Sequence, residues 1–493
     1  MLKTEQTDID ALLRLSSQSS DFRTGTISLP NQQLYIAYYN TLIEQKQLQE
    51  FVIQPLQQCT LTVIQSLEEL REWIPVDECE FTDKIEDIQS KLLKGSVIVR
   101  LHETDTVCGL IPLANKRGMR SNNDTENEFS VVGPKVGFVE DIVTNVSLLR
   151  AQINIPNLIV KEITIGSMSK TKVAVVYIDG VTNEQNVQTV EQRLKAIDCD
   201  VVFDSSELDQ IISDNSASPF PLFVSTERRD RVVYALISGQ IAVTCDGSPY
   251  FITGPSSLFD FFISPEDYYM PWILGSFFRI IRILGVIFSL FASAMYVGVM
   301  TYHYEVIPHN LLAPLVFSRL NVPFPPVLEV LFLETTIEFL REAGARLPTK
   351  IGQTLGIVGG IIVGQAAVEA ALTSNILIII VSLSALASFT TPIYKMSNTI
   401  RFLRFPIILL SAFWGSVGMF IGVCFLIVHI TRLQSLGFPY TVPLFPLRIK
   451  DLQDSLIRSS FQYTKSRPDY LKPKSKLRYL PKPLKRRMDW DER

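Results

Sequence analysis

The chain has 493 residues, a formal net charge of −4 and a mean hydropathy of +0.21, more apolar than an ordinary soluble protein and more polar than one buried throughout in lipid. Residues 1–271 hold 22 Lys and Arg against 38 Asp and Glu, a net of −16, while residues 272–493 hold 24 against 12, a net of +12, which together return −4. That division predicts an acidic soluble half joined to a basic membrane half, with lipid and no nucleic acid as the expected surroundings.

The opening residues, MLKTEQTDIDALLRL, carry neither an apolar run nor a cleavage site, so the soluble half is expected to stay in the cytoplasm. Cys59, Cys79, Cys108, Cys199, Cys245 and Cys424 form no CxxC pair and read as free thiols of a reducing compartment. Residues 7–50 place Ile9, Leu12, Leu13 and Leu15, then Leu34 to Leu48, at helical spacing, which predicts mostly helices. Residues 96–101 and 107–113 read as short strands. The polar stretch 116–129 is a loop or a boundary, dividing a first subdomain, 1–130, from a second, 131–265.

In the second subdomain, Gly133-Pro134-Lys135-Val136-Gly137 is a turn feeding a helix at 138–152. It lacks the spacing of a nucleotide loop and reads as a plain turn. A strand at 172–178, a helix at 183–197, a strand at 200–204 and a helix at 206–213 follow in β-α-β-α order. That order predicts an α/β sandwich with right-handed crossovers. Residues 240–253 read as a hairpin turning at Asp246-Gly247. The half holds no GxSxG, no His/Asp set and no metal-ligand spacing, so no catalytic residue, metal or cofactor is assigned and an enzyme is not expected.

The helical membrane domain is placed at 266–435 and a basic tail at 436–493. Tyr268, Tyr269 and Trp272 suit a headgroup belt, and 273–301 is long enough to span, with Arg279 and Arg282 near its start. Residues 306–326 are broken by five prolines. Residues 327–342 form an amphipathic helix carrying Glu329, Glu334, Glu338 and Glu342, which lies at the interface or faces water inside an assembly. In 351–372, Gly352, Gly356, Gly360 and Gly364 recur every fourth residue, a row along which another helix can approach closely. The adjoining row carries Gln353, Ile357, Ile361, Gln365 and Glu369, a polar set at membrane depth that is either pore-lining or merely interfacial. Residues 352–372 and 376–394 read as a helical hairpin and 405–431 as the last span. The loop holding Lys395, Arg401 and Arg404 and the tail both read as cytoplasmic, yet one span between them puts them on opposite sides. The larger excess in the tail favours four spans plus a re-entrant or interfacial segment at 304–342; five spans with an external tail is the alternative.

Several stretches resemble the A subunits of spore germination receptors, the GerA type: Thr226-Glu227-Arg228-Arg229-Asp230-Arg231-Val232-Val233, Phe259-Asp260-Phe261-Phe262 with Ser264-Pro265-Glu266-Asp267-Tyr268-Tyr269, Leu340-Arg341-Glu342-Ala343-Gly344, Gly364-Gln365-Ala366-Ala367-Val368-Glu369-Ala370, Arg404-Phe405-Pro406 and Leu456-Ile457-Arg458. In the upstream turn, Lys135-Val136 replaces the Arg-Glu pair of the family. The resemblance implies a subunit of a nutrient receptor in the inner membrane of a bacterial endospore, acting with a permease-like B subunit and a C lipoprotein. It implies further that A subunits form a homo-oligomer acting as a nutrient-gated cation channel. A secondary transporter and a non-conducting scaffold for germination proteins are the other classes.

Overall fold

The computed structural model describes residues 8–479 apart from 30–31, 59–63, 65, 77–78, 115–124, 126–127, 129–131, 348–359, 361, 363 and 462. The soluble half contains two five-stranded sheets. The first has strands β1 (Phe22–Ser28), β2 (Gln33–Tyr39), β3 (Glu80–Thr82), β4 (Ser96–Arg100) and β5 (Cys108–Pro112), in the order β1-β2-β4-β5-β3. Both faces are covered. Leu48, Val52, Leu56 and Leu70 pack over Ile36, Val97 and Val99, and helix α1 (Ile9–Ser16) with α2 (Ile85–Leu92) packs over Tyr39, Ile98 and Leu110.

Where helices are predicted across 7–50, α1 forms at the start and a helical stretch begins at Gln45–Leu48, but between them β1 and β2 pair as an antiparallel hairpin, Phe22 opposite Tyr39 through Ser28 opposite Gln33. The segment Leu34-Tyr35-Ile36-Ala37-Tyr38-Tyr39 is aromatic and β-branched, and such side chains pack better on a pleated surface than on a lone helix. The helical spacing of its leucines is overridden by pairing with β4.

The second sheet holds β6 (Leu158–Ile165), β7 (Thr171–Ile178), β8 (Val224–Thr226), β9 (Ile241–Cys245) and β10 (Phe251–Gly254), in the order β6-β7-β9-β10-β8. Helices α3 (Ile142–Gln152) and α6 (Arg229–Ser238) cover one face, and α4 (Glu184–Lys195) and α5 (Ser205–Ile212) the other. The predicted three-layer character is present, but the right-handed crossovers are not: every ladder among the described strands is antiparallel. Residues 200–204 are no strand. Asp204 instead caps α5, accepting the Ser206 amide at 2.9 Å, and the Asp200 carbonyl is taken by Met168 and Ser169. Likewise α3 starts at 142 rather than 138 because Asp141 caps it, accepting the Thr144 amide at 2.9 Å. The hairpin at 240–253 forms where predicted, with Gly247 at φ 86°.

The two sheets are joined by a buried pair. Arg150 of α3 reaches into the first subdomain and holds both carboxylate oxygens of Asp21, at 2.6 and 2.7 Å, while stacking 4.1 Å from the Tyr39 ring. Burial pushes the Asp21 carboxyl up, but Arg150 beside it, with hydrogen bonds from Ser19 and Thr41, brings it below its ordinary value. A depressed carboxyl contributes stability that is complete above its unfolded value, near 3.9, and is lost as pH falls through the lower folded value. Asp21→Asn should therefore cost roughly 1–3 kcal/mol at neutral pH and flatten the acid limb of stability below about pH 4. Amide exchange at 19–21 and 150–160 as a function of pH checks this; an acid limb equal to the parent's removes Asp21 from that role.

Among the described residues, two helices are long and apolar enough to cross a membrane: α7 (Trp272–Tyr302) and α11 (Tyr394–Arg432). Between them lie α8 (His309–Arg319), α9 (Pro326–Arg346) and the shorter apolar α10 (Asn375–Ser388). Both α9 and α10 run back along α7. Tyr296 meets Ser374 just before α10, Ser289 meets Ser384, and Gly285 approaches Thr390.

Residues 405–431 are not the single straight span expected. Gly415 has φ 58° and ψ −138°, and α11 doubles back there, so that 394–414 leads away from the soluble half and 416–432 returns. A side chain on Gly418 would run into the Leu410 carbonyl, and one on Gly422 would meet Leu410 and Ile407. Thr399 and His429 both touch residues 218–220. Gly415 accepts the left-handed φ without a Cβ penalty, and a Cβ there would strike Tyr302 and His303. This removes the conflict over the two basic stretches: Lys395, Arg401 and Arg404 and the tail leave from the same end of the hairpin. Ile393, Met396, Ile400, Leu433 and Tyr440 pack into the core under β7 and β9, making the hairpin's feet part of the second subdomain.

Candidate functional site

Three of the motifs that carried the family resemblance, 226–233, 259–269 and 456–458, are far apart in sequence and meet at the foot of α7. The β8–α6 segment supplies Arg228, which holds Asp230 through two hydrogen bonds at 3.0 and 2.7 Å. The Tyr269 hydroxyl donates to the same carboxylate at 2.7 Å. The 133–137 turn lies alongside, with the Phe138 amide donating to the Glu227 carbonyl at 2.9 Å; Gly133, at φ 115°, leaves the place of its missing Cβ to the Tyr269 ring. Arg231 fastens the next stretch through the Asp260 and Ile263 carbonyls, at 3.3 and 2.7 Å. Burial raises the Asp230 carboxyl, and its bonds from Arg228 and Tyr269 outweigh this and lower it.

One turn further on, Asp267 is fully buried and takes Arg279 at 3.1 Å and Arg282 at 3.2 Å, both from the first turns of α7. These arginines, expected to reach outward toward headgroups, point inward instead. The reason is that two carboxylates wait there: Arg279 also reaches the Asp454 carboxylate at 3.4 Å, and donates to the Asp454 backbone carbonyl at 2.6 Å. Asp454 belongs to the tail, and its carboxylate accepts the hydroxyls of Tyr234 and Tyr268 at 3.1 and 2.8 Å. Arg458 closes the ring by donating to the Met270 carbonyl at 2.6 Å, while Ser276 donates to the Arg458 carbonyl at 3.0 Å. The Tyr268 hydroxyl is driven well above its ordinary value by burial and by Tyr234 and Asp454 beside it, so it remains a donor. The cluster contains no nucleophile activated by a base. What it can do is mechanical: soluble domain, α7 and tail share one buried set of charges, so none moves without the others.

The sequence-predicted glutamates are distributed along a second network. Glu329 is 1% exposed, holds Arg319 at 2.7 Å and accepts the Ser374 amide at 3.3 Å. Glu334, also 1% exposed, is paired with the equally buried Arg404 and accepts Ser293 at 2.5 Å; Arg404 continues to Ser289 at 2.6 Å. Glu338 is half-buried and bound to Arg341 at 2.6 Å, and Glu342 is exposed and bound to Arg346 at 2.6 Å. The i+4 stripe thus runs from the helix-packed interior to the surface, each member with its own arginine. Gln365 and Glu369 are exposed and bonded to each other at 2.9 Å. Among the described residues, nothing lies within 4 Å of a Cβ added at Gly360 or Gly364. Gly352, Gln353, Gly356, Ile357 and Ile361 lie outside the described residues.

Sequence reasoning missed Asp267, Asp454 and the inward role of Arg279, and it treated Arg404 as a loop charge. The available signal was arginine inside an otherwise apolar helix, which needs a buried partner.

The family described as Bacillus/Clostridium GerA spore germination protein matches residues 10–470. Spore germination protein GerQA of Bacillus cereus is 44% identical over 486 residues, 98% of this chain and 97% of that protein. Spore germination protein B1 of Bacillus subtilis (strain 168) is 34% identical over 477 residues, 96% of this chain and 98% of that one. The crystal structure of the N-terminal domain of the A subunit of the Bacillus megaterium spore germinant receptor GerK3 aligns at 25% identity with a TM-score of 0.38, over 50% of this chain and 92% of that one. A family match that takes in both sheets, the foot of α7 and most of the tail, together with relatives similar end to end, places the chain in the GerA family of spore germination proteins.

Proposed function

We propose that this chain is the A subunit of a nutrient germinant receptor in the spore inner membrane, that it works with a permease-like B subunit and a lipoprotein C subunit, and that copies of it assemble into a cation channel opened by nutrient. The observation that carries the reading is the bare polar face at 360–369. In an apolar half, Gly360, Gln365 and Glu369 are exposed, and no described residue lies against the open side of Gly360 or Gly364. Lipid is a poor neighbour for an amide and a carboxylate, whereas other copies can pack on the glycines and enclose water against the polar row. One Glu369 per copy makes a ring of carboxylates, which attracts cations and repels anions. The soluble half and both basic stretches then lie on the cytoplasmic side.

The test is potassium release on nutrient addition from spores with receptor levels matched by immunoblot. Glu369→Gln should reduce release by about one order of magnitude. Ile361→Ser, at a position suited to closing a pore by dewetting, should leak without nutrient, and Gly360→Leu should give a smaller particle in detergent. Parent-like release from Glu369→Gln together with a parent-sized Gly360→Leu particle would reject the channel reading.

A further inference from the structure

A cavity of about 260 Å3 lies where α6, the 257–269 stretch and tail residues 450–478 meet. Two arginines of the tail line it. Arg467 is 8% exposed; its Nε donates to the Ile237 carbonyl at 2.7 Å and its Nη1 to the carbonyls of Ser475 and Leu477 at 2.9 and 2.5 Å. Arg478 donates Nη2 to the Ser238 hydroxyl at 2.7 Å and lies 4.9 Å over the Tyr234 ring, while its buried Nε has no hydrogen-bond partner among the described residues. Every acceptor named is neutral, and among the described residues neither arginine forms an ion pair. Burial, with Arg478 close by, pushes the Arg467 guanidinium below its ordinary value, while at Arg478 burial is outweighed by Tyr234, Tyr268 and Asp454, which raise it.

The carboxylates of the cavity are committed elsewhere. Asp454 serves Tyr234, Tyr268 and Arg279, Asp230 serves Arg228 and Tyr269, Asp451 accepts the amides of Asp469 and Tyr470, and Asp260 accepts the Ser257 amide and the Gln240 side chain. The two arginines do sit at the C-terminal end of α6, but a helix end supplies only about half a negative charge against two full positive ones. Two guanidiniums without a bonded carboxylate favour an oxyanion, which a guanidinium grips through paired N–H donors.

We propose that this cavity binds a small metabolite of amino-acid size through a carboxylate or phosphate group held between Arg467 and Arg478, with the body of the molecule against Tyr234 and Phe461. The occupant joins the tail to α6. Tyr234 carries its effect onward, because the same hydroxyl bonds Asp454, which holds Arg279 of α7. The site is an input to the foot of α7 that stands whether or not the chain conducts ions.

The test is titration of the full chain in detergent with inorganic phosphate, glycerol 3-phosphate and L-glutamate, read by thermal midpoint and by equilibrium dialysis, with sodium chloride at matched ionic strength as the comparison. Saturable binding of either phosphate probe, or of glutamate, supports the site and says which oxyanion it takes. Arg478→Gln should weaken that binding by about tenfold or more. Should that variant not fold, Arg467→Lys, which keeps the charge and loses the fork, should weaken it as well. A midpoint that rises equally with chloride, no saturable binding by any probe, or unchanged affinity in a folded Arg478→Gln chain overturns the proposal.

Discussion

Arg404→Met should nearly abolish the chain from membranes, because it leaves Glu334 buried with no partner for its charge. Both residues are 1% exposed, and Ser293, Ser289 and Ser384 complete the network around them. Breaking one side of such a pair costs roughly 3–5 kcal/mol, a large share of what a domain has in reserve. Replacing both, Glu334→Met with Arg404→Met, should restore much of the loss, since two apolar side chains of similar volume need no counter-charge. Receptor level by immunoblot and the thermal midpoint in detergent are the measurements. The outcome separates two roles for Glu334. If Glu334 lined a water-filled pore instead of clasping Arg404, Glu334→Gln would leave the level intact and change only ion release; here it should lower the level first.

Asp267→Ala is expected to be as damaging, and in a different place. It removes the carboxylate shared by Arg279 and Arg282 at the start of α7, leaving the fully buried Arg279 only its longer contact with the Asp454 carboxylate to offset its charge. The cost is again roughly 3–5 kcal/mol. It should appear locally, as release of the tail from the foot of α7, because Asp454 and Arg458 are held by the same cluster. Limited proteolysis should cut between 448 and 465 many times faster than in the parent, while amide exchange in β1 to β5 stays unchanged. Arg282→Ala, which leaves Asp267 paired to Arg279, should cost much less. Equal tail cleavage in Asp267→Ala and parent would show that the tail is held by other contacts.

Elements with a strong local signal were legible from the residues. The strand at 171–178 is rich in β-branched residues, the hairpin at 241–254 has its Asp-Gly turn, and α7 is a long apolar stretch that needs only its length to be recognised. The β1–β2 hairpin was not legible, because spacing that suits a helix was overruled by pairing with β4, 60 residues away in the chain. Antiparallel ladders in place of crossovers are of the same kind: order of elements does not specify which edges meet.

The sequence by itself determined the division into an acidic soluble half and a basic helical half, the family motifs, and the fact that acidic groups sit among apolar helices; these are properties of composition and short-range pattern. Only the tertiary structure decided which glutamate is clasped and which is bare. Glu334 and Glu369 look alike on a helical wheel, but one is buried against Arg404 and the other is exposed, bonded to Gln365 one turn away. It likewise decided the reversal at Gly415. One residue with a left-handed φ turns what composition reads as a single span into a hairpin, and a single dihedral leaves no trace in hydropathy.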